Sequence, residues 1–241
     1  MKKIILFKLL LIILIVWNFQ LYSQSGRIHF SNVGNKTNTN VGCNAHGAGF
    51  FDYNGDGLPD IFVVHNESVG DWAGKDIPHT LLKNMGDGTF RNVTPQERVG
   101  GYQMSAQGFA AADYDNDGNR DMAIAMGYQL YGRILLYWNG GLKFYNATNA
   151  SKVYHKNRGR NLCFIDYNND GLLDLFSLGD SDFNSYSLLV YKNIGNAEFS
   201  VQSEQAGLDH YRDPQDSWGV AFADIDNDGD MDFFSANYET E

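Results

Sequence analysis

The chain has 241 residues, 14% of them aromatic, with 26 Gly, 4 Pro and a formal net charge of −11. That length can bury a real core, and the excess of Gly over Pro suits a turn-rich β protein rather than a collagen-like or disordered chain. The acidic balance excludes nucleic acid as a partner, because phosphate binding needs clustered Lys and Arg.

Residues 1–25 read as a signal peptide and stand outside the fold. Met1, Lys2 and Lys3 form a short basic segment, and residues 4–17 are an apolar run interrupted only by Lys8. This run is shorter than the ~20 residues of a comfortable membrane span, and small polar residues follow at Ser23, Gln24 and Ser25. The expectation is a secreted or cell-surface protein that is not integral to the membrane, with an uncleaved N-terminal anchor as the alternative.

Residues 26–241 are organised as a repeat. Residues 28–33 read as a strand containing Phe30. The run 47–51 precedes an acidic loop at 52–60, and an apolar run at 61–64 follows it. Then come 81–84, a Gly-rich turn, and 89–93. The second unit repeats this order with 108–112, loop 113–121, 122–126, 134–139 and 142–147. The third has 161–165, loop 166–174, 175–178, 188–193 and 198–201, and the fourth has 219–223, loop 224–232 and 233–236. The loops start at Asp52, Asp113, Asp166 and Asp224, so the steps are 61, 53 and 58 residues.

Apolar runs of this length fit buried strands, and the Gly-rich connections between the last two runs of a unit are hairpin signals. Four strands per unit make one propeller blade. Phe90, Phe144 and Phe199 open the last strand of their units 23, 22 and 25 residues before the next loop, and Phe30 lies 22 residues before the first. The expected fold is therefore all-β: a β-propeller that opens on the last strand of a blade. With three units and two halves, it reads as a partial, N-terminal portion of about four blades at most, or a truncated piece of one.

Numbering each loop from its first Asp, positions 1, 3, 5 and 9 are Asp52, Asn54, Asp56 and Asp60; Asp113, Asp115, Asp117 and Asp121; Asp166, Asn168, Asp170 and Asp174; and Asp224, Asp226, Asp228 and Asp232. Ca²⁺ takes 6–8 hard oxygen ligands at about 2.3–2.6 Å, which short carboxylates on alternate residues of a tight loop can supply. Up to four Ca²⁺, one per loop, are expected. Position 6 is Gly in every loop (Gly57, Gly118, Gly171, Gly229), where the turn needs freedom from Cβ. Position 7 varies as Leu58, Asn119, Leu172 and Asp230, as expected of a ligand that offers its backbone carbonyl. An EF-hand would need an acidic residue at position 12, where Val63, Ile124, Ser177 and Ser235 stand. Plain polar turns would explain one such loop better than four with the same inward positions.

Cys43 and Cys163 each sit in a strand-like stretch before a loop and read as two buried free thiols, although export permits a disulfide. The histidines (His29, His46, His65, His79, His155, His210) form no zinc-protease signature, and His65 and His79 read as surface or capping residues. Trp72, Tyr128, Tyr131 and Tyr211 lie in connections that could line a recognition face. Asn35, Asn66, Asn92, Asn146 and Asn149 head N-x-S/T sequons.

Residues 109–118 (Phe-Ala-Ala-Ala-Asp-Tyr-Asp-Asn-Asp-Gly) and 219–232 resemble FG-GAP/VCBS repeats, the blades of integrin-α-like propellers. The companion hairpin 84–94 resembles that of the ASPIC/UnbV (cartilage-acidic-protein-like) group. The resemblance implies a calcium-bearing β-propeller with a role in adhesion or extracellular recognition. The expected function is a non-catalytic module that binds an extracellular protein or carbohydrate. The alternative is an accessory or catalytic propeller of an extracellular polysaccharide-active enzyme, which fold alone does not separate from the first.

Overall fold

Short apolar runs punctuated by Gly and Asp leave the backbone little choice but short strands joined by tight turns. In the computed structural model, which describes residues 30–41, 45–66, 79–99, 106–127, 133–141, 143–153, 158–180, 188–208 and 216–238, those runs become successive antiparallel blades. Blade 1 is β1 (Ala45–Phe51), β2 (Asp60–His65), β3 (Thr80–Asn84) and β4 (Phe90–Asn92). Blade 2 is β5 (Ala106–Ala112), β6 (Asp121–Met126), β7 (Arg133–Asn139) and β8 (Phe144–Asn146). Blade 3 is β9 (Arg158–Ile165), β10 (Asp174–Asp180), β11 (Leu188–Asn193) and β12 (Phe199–Val201). The described residues of blade 4 form β13 (Asp216–Ala223) and β14 (Asp232–Tyr238). Two single-turn helices, α1 (Gly34–Thr37) and α2 (Thr94–Glu97), lie outside the sheets.

Each complete blade is a four-stranded meander in chain order, as the repeat pattern predicts. Its outermost strand is three residues long, which leaves little open edge for pairing with another chain. The apolar core lies between blades. Phe51, Phe62 and Val64 of blade 1 pack with Met122, Ile124 and Phe144 of blade 2, with Phe109 crossing edge-on to Phe62 at 5.1 Å. Tyr114, Ala123 and Leu136 of blade 2 pack with Leu162, Leu175 and Phe199 of blade 3. Phe176 of blade 3 meets Phe222 of blade 4 edge-on at 4.9 Å. Central strand β6 is buried along its whole length because blades cover both of its faces. At the two ends of the series, Phe50 on blade 1 and Phe234 on blade 4 are 72% and 69% exposed.

Each inner strand carries the same irregularity at its entry. Pairing skips His46 in β1, Gln107 in β5, Arg160 in β9 and Trp218 in β13, giving one bulge per blade. The residue after the bulge is Gly in blades 1, 2 and 4, and the packing explains why. A Cβ on Gly108 would sit 2.8 Å from the Arg160 carbonyl oxygen of the neighbouring inner strand, so only hydrogen allows β5 and β9 to approach this closely.

Two expectations are corrected. The strand expected at residues 28–33 is not formed over 30–33: this stretch of the unit Met1–Val33 has no regular structure, and Phe30 is exposed. A strand needs a ladder partner, and none of the described strands pairs with this stretch. His65 and His79 are buried rather than on the surface. They lie where β2 meets β3: the His65 N–H donates to His79 Nδ1 at 3.3 Å, and Thr80 Oγ1 is 3.3 Å from His65 Nε2. Burial pulls the His79 imidazole down to about 4, so it is neutral at pH 7. The sequons at Asn92 and Asn146 have a structural role. Their Oδ1 atoms accept the Thr94 and Thr148 N–H groups, and those threonine hydroxyl oxygens accept the Leu81 and Leu136 N–H groups. Asn66 is fully buried, with no surface for a glycan.

Cys163 is a free, half-buried thiol whose pKa burial raises to about 11, while Cys43 lies outside the described residues. The signal segment, His29, His155, His210, Trp72, Tyr128, Tyr131 and Tyr211 also lie outside them.

The close approach at Gly108 has a measurable consequence. Gly108→Ala is expected to destabilise the protein by about 1–3 kcal/mol through overpacking. Gly219→Ala, whose Cβ would meet nothing nearer than Ala236 Cβ at 3.9 Å, is expected to change stability by less than about 0.5 kcal/mol. Urea denaturation of the two variants measures the difference.

Candidate metal centres

The acidic loops join the first two strands of each blade and share one backbone trace. Position 4 is left-handed in all four, at Gly55, Asn116, Asn169 and Asn227, and position 6 again at the four glycines. Asn tolerates that region better than other non-Gly residues, so the Gly/Asn choice at position 4 is a backbone requirement.

This trace turns the loop N–H groups onto the carboxylates. At position 1, Oδ1 of Asp52, Asp113, Asp166 and Asp224 accepts the position-5 N–H at 3.0–3.2 Å. Oδ2 accepts the N–H of the position-6 glycine at 2.7–3.0 Å. At position 3, Oδ1 of Asn54, Asp115, Asn168 and Asp226 shares the position-5 N–H. At position 5, Oδ1 of Asp56, Asp117, Asp170 and Asp228 accepts the N–H of Leu58, Asn119, Leu172 and Asp230. The position-7 side chains do other work: Asn119 Nδ2 donates to Asp117, and Asp230 accepts from Asn169 Nδ2 of the preceding loop at 3.0 Å.

Position 9 has a second role that the repeat pattern did not reveal. Asp60, Asp121 and Asp174 open the second strand of their blades and are fully buried. Oδ2 of each accepts the N–H of loop position 2, at Tyr53, Tyr114 and Tyr167, and Asp232 does the same for Ile225. Oδ1 accepts the N–H of the asparagine that ends the third strand: Asn84 at 2.7 Å, Asn139 at 2.8 Å and Asn193 at 2.7 Å.

That asparagine is the residue sequence reasoning missed. Asn139 Nδ2 donates to Arg120 O of its own loop and, across the blade boundary, to Tyr53 O at 2.7 Å. Asn193 Nδ2 donates to Leu173 O and, across the next boundary, to Tyr114 O at 2.7 Å. Asn84 makes the own-loop bond to Pro59 O, with no preceding blade among the described residues. Each Oδ1 also accepts the hairpin N–H two residues on, at Gly86, Gly141 or Gly195. The available signal was the recurrence of Asn-x-Gly at the end of every third strand.

The donor set fits a hard divalent cation. The carboxylates of Asp113, Asp115 and Asp117 in loop 2, and of Asp224, Asp226 and Asp232 in loop 4, each offer oxygens lying within 4.8 Å of one another. Burial, then the neighbouring charges of Asp117 and Asp113, raise the Asp115 carboxyl above its ordinary value. Asp121 is pushed up to about 8 and Asp174 to about 6, first by burial and despite their N–H partners, and Asp60 is raised in the same way. Carboxylates held this close are stabilised in charged form by a cation among them. Positions 1, 3, 5 and 9 would hold Ca²⁺, with the position-7 carbonyl as the expected backbone ligand; the ion would neutralise charge and tie the loop to the strand that follows it.

Two predictions follow from this geometry. Asn139→Ala removes a bond between blades and leaves two carbonyl groups without their donor, at a cost of about 3 kcal/mol, whereas Asn84→Ala costs about 1 kcal/mol. Denaturant titration of both variants checks the ranking. Because burial raises the folded-state pKa of Asp60, Asp121 and Asp174, the folded protein binds protons more readily than the unfolded chain. Cation-free protein therefore loses stability as pH rises from about 4 towards 8. Calcium is expected to flatten that slope, as read from melting midpoints at pH 5 and pH 8 with chelator or with calcium.

A family profile described as FG-GAP-like repeat matches residues 52–124, 113–177 and 166–235, so each match runs from one acidic loop into the next. None of the curated proteins compared matches the chain significantly. Among solved structures, the exotype rhamnogalacturonan lyase YesX aligns at a TM-score of 0.44 and 17% identity, over 80% of this chain and 38% of that one. The chain thus spans well under half the length of that enzyme. The finer ASPIC/UnbV grouping rests on the hairpin resemblance alone. Three overlapping matches across most of the sequence, each anchored on loops whose carboxylates are placed alike in the fold, make this chain a member of the FG-GAP-like repeat family.

Proposed function

We propose that this protein is a calcium-stiffened extracellular recognition module. Its acidic loops hold the scaffold at one end of the blades, and its opposite end contacts a protein or carbohydrate without catalysing a reaction. The observation that carries this reading is the bulge shared by the inner strands. It lies at the entry of each strand, the end away from the acidic loop, and bulges re-aim the side chain they bear.

The four bulged residues differ from the apolar strands around them. His46 Nδ1 lies 2.9 Å from Gln107 Oε1, and the Arg160 guanidinium lies 4.6 Å from the centre of the Trp218 ring. An imidazole, an amide, a guanidinium and an indole can bind polar ligands by hydrogen bonding and stacking. The acidic residues that would otherwise be candidates for acid–base chemistry are engaged in holding loop N–H groups, which supports a non-catalytic reading. The N-terminal segment 1–25 supports export, and calcium outside cells reaches the range that loops of this type require. Among the described residues, no helix is long and apolar enough to cross a membrane.

The test is a screen of the purified protein, with calcium, against arrays of glycans and extracellular proteins, followed by Arg160→Ala and Trp218→Ala. Each substitution is expected to weaken the strongest interaction by about tenfold or more, roughly 1.4 kcal/mol, without moving the melting midpoint. Binding that survives both substitutions contradicts the assignment of this face.

A further inference from the structure

We propose that the four loops fall into two classes: Lys83 and Lys192 serve as built-in counter-ions in loops 1 and 3, leaving loops 2 and 4 as the pair that takes up calcium tightly. This inference rests on the calcium reading of the loops.

The residue just before the strand-ending asparagine reaches the position-5 carboxylate in each complete blade. In blade 1, Lys83 Nζ lies 3.0 Å from Asp56 Oδ2, and in blade 3, Lys192 Nζ lies 3.1 Å from Asp170 Oδ2. In blade 2, the same place is taken by Trp138, whose indole N–H donates to Asp117 Oδ2 at 3.2 Å. The same carboxylate oxygen thus meets a full positive charge in two loops and a neutral donor in the third.

Position 3 varies in step. The loops with a lysine carry Asn54 and Asn168, whereas loops 2 and 4 carry Asp115 and Asp226. An amide in place of a carboxylate removes a charge and exchanges one acceptor oxygen for a donor nitrogen, which cannot ligate a cation. Loops 1 and 3 therefore combine three carboxylates with an ammonium, while loop 2 has four carboxylates and, among the described residues, no cation bonded to it.

A divalent ion entering loop 1 or 3 must displace the lysine or share a carboxylate with it. In loop 2 it relieves repulsion that only neutral N–H donors otherwise offset. Calcium affinity in loops of this kind is tuned by ligand charge count, so both differences act in the same direction. Another observation agrees. The convergent carboxylate triads in loops 2 and 4 each include the position-3 aspartate, Asp115 or Asp226. Loop 4 is placed in the tight class by the aspartates at all four of its positions 1, 3, 5 and 9.

The test counts calcium sites calorimetrically and uses Tb³⁺ as a luminescent probe, since an indole touching a loop carboxylate can sensitise the lanthanide. The wild-type protein is expected to show two tight sites, with Tb³⁺ emission lost in Trp138→Phe while the count stays at two. Lys83→Met with Lys192→Met is expected to raise the count to four, with at least a tenfold gain in affinity at the two new sites. The reverse change, Trp138→Lys, is expected to remove one tight site while the circular dichroism of the folded protein is retained. Four equivalent sites in the wild type, or a count that does not respond to the lysines, overturns the two-class inference and leaves the calcium reading standing. Absence of any calcium or Tb³⁺ binding overturns the calcium reading itself.

Discussion

A fully buried carboxylate at the start of a strand is the constraint around which the blades are assembled. Asp60, Asp121 and Asp174 have no exposure to water, so each oxygen must find a donor within the protein. One donor comes from the loop just traversed and the other from the end of the third strand. A single side chain thereby fixes the loop, the second strand and the third strand relative to one another. The asparagine that supplies the second donor carries the restraint outward: through Asn139 and Asn193, its amide reaches the loop backbone of the preceding blade. Blade-to-blade order thus has a polar component, at the acidic-loop end, that complements the aromatic packing between the sheets.

The same arrangement accounts for the charge. About half of the chain's 29 acidic residues occupy loop positions 1, 3, 5 and 9, where backbone N–H groups orient them but do not neutralise them. Loop N–H groups stabilise carboxylates by partial charges, which is insufficient when several full charges share one turn. A hard cation would supply what is missing, and in loops 1 and 3 a lysine already lies beside one of the carboxylates. Along its length each blade thus carries clustered carboxylates at one end and a bulged polar or aromatic side chain at the other.

Much of this was legible in the sequence, because the repeat shows each local choice several times. The strands, the loops and the position-6 glycine follow from local geometry, and the fold realises them. What stayed hidden depends on contacts between segments distant in the chain. Asn139 reads as an ordinary hairpin asparagine, and only the fold brings it to Tyr53, 86 residues away. The glycine after the bulge is visible as a repeat, but its reason is the backbone of a neighbouring blade. His65 and His79 look like strand-end polar residues, and their burial comes from packing between β2 and β3. The strand expected around Phe30 failed for the complementary reason: a good local pattern does not make a strand without a partner.

The central claim, that the acidic loops are cation sites which tie each blade together, is tested most directly by anomalous diffraction. Crystals grown in calcium and measured at long wavelength are expected to show an anomalous peak among the carboxylates of Asp113, Asp115, Asp117 and Asp121, with Asn139 still bonded to Tyr53 O. An ordered loop 2 with the same backbone trace and no peak at saturating calcium would contradict the account.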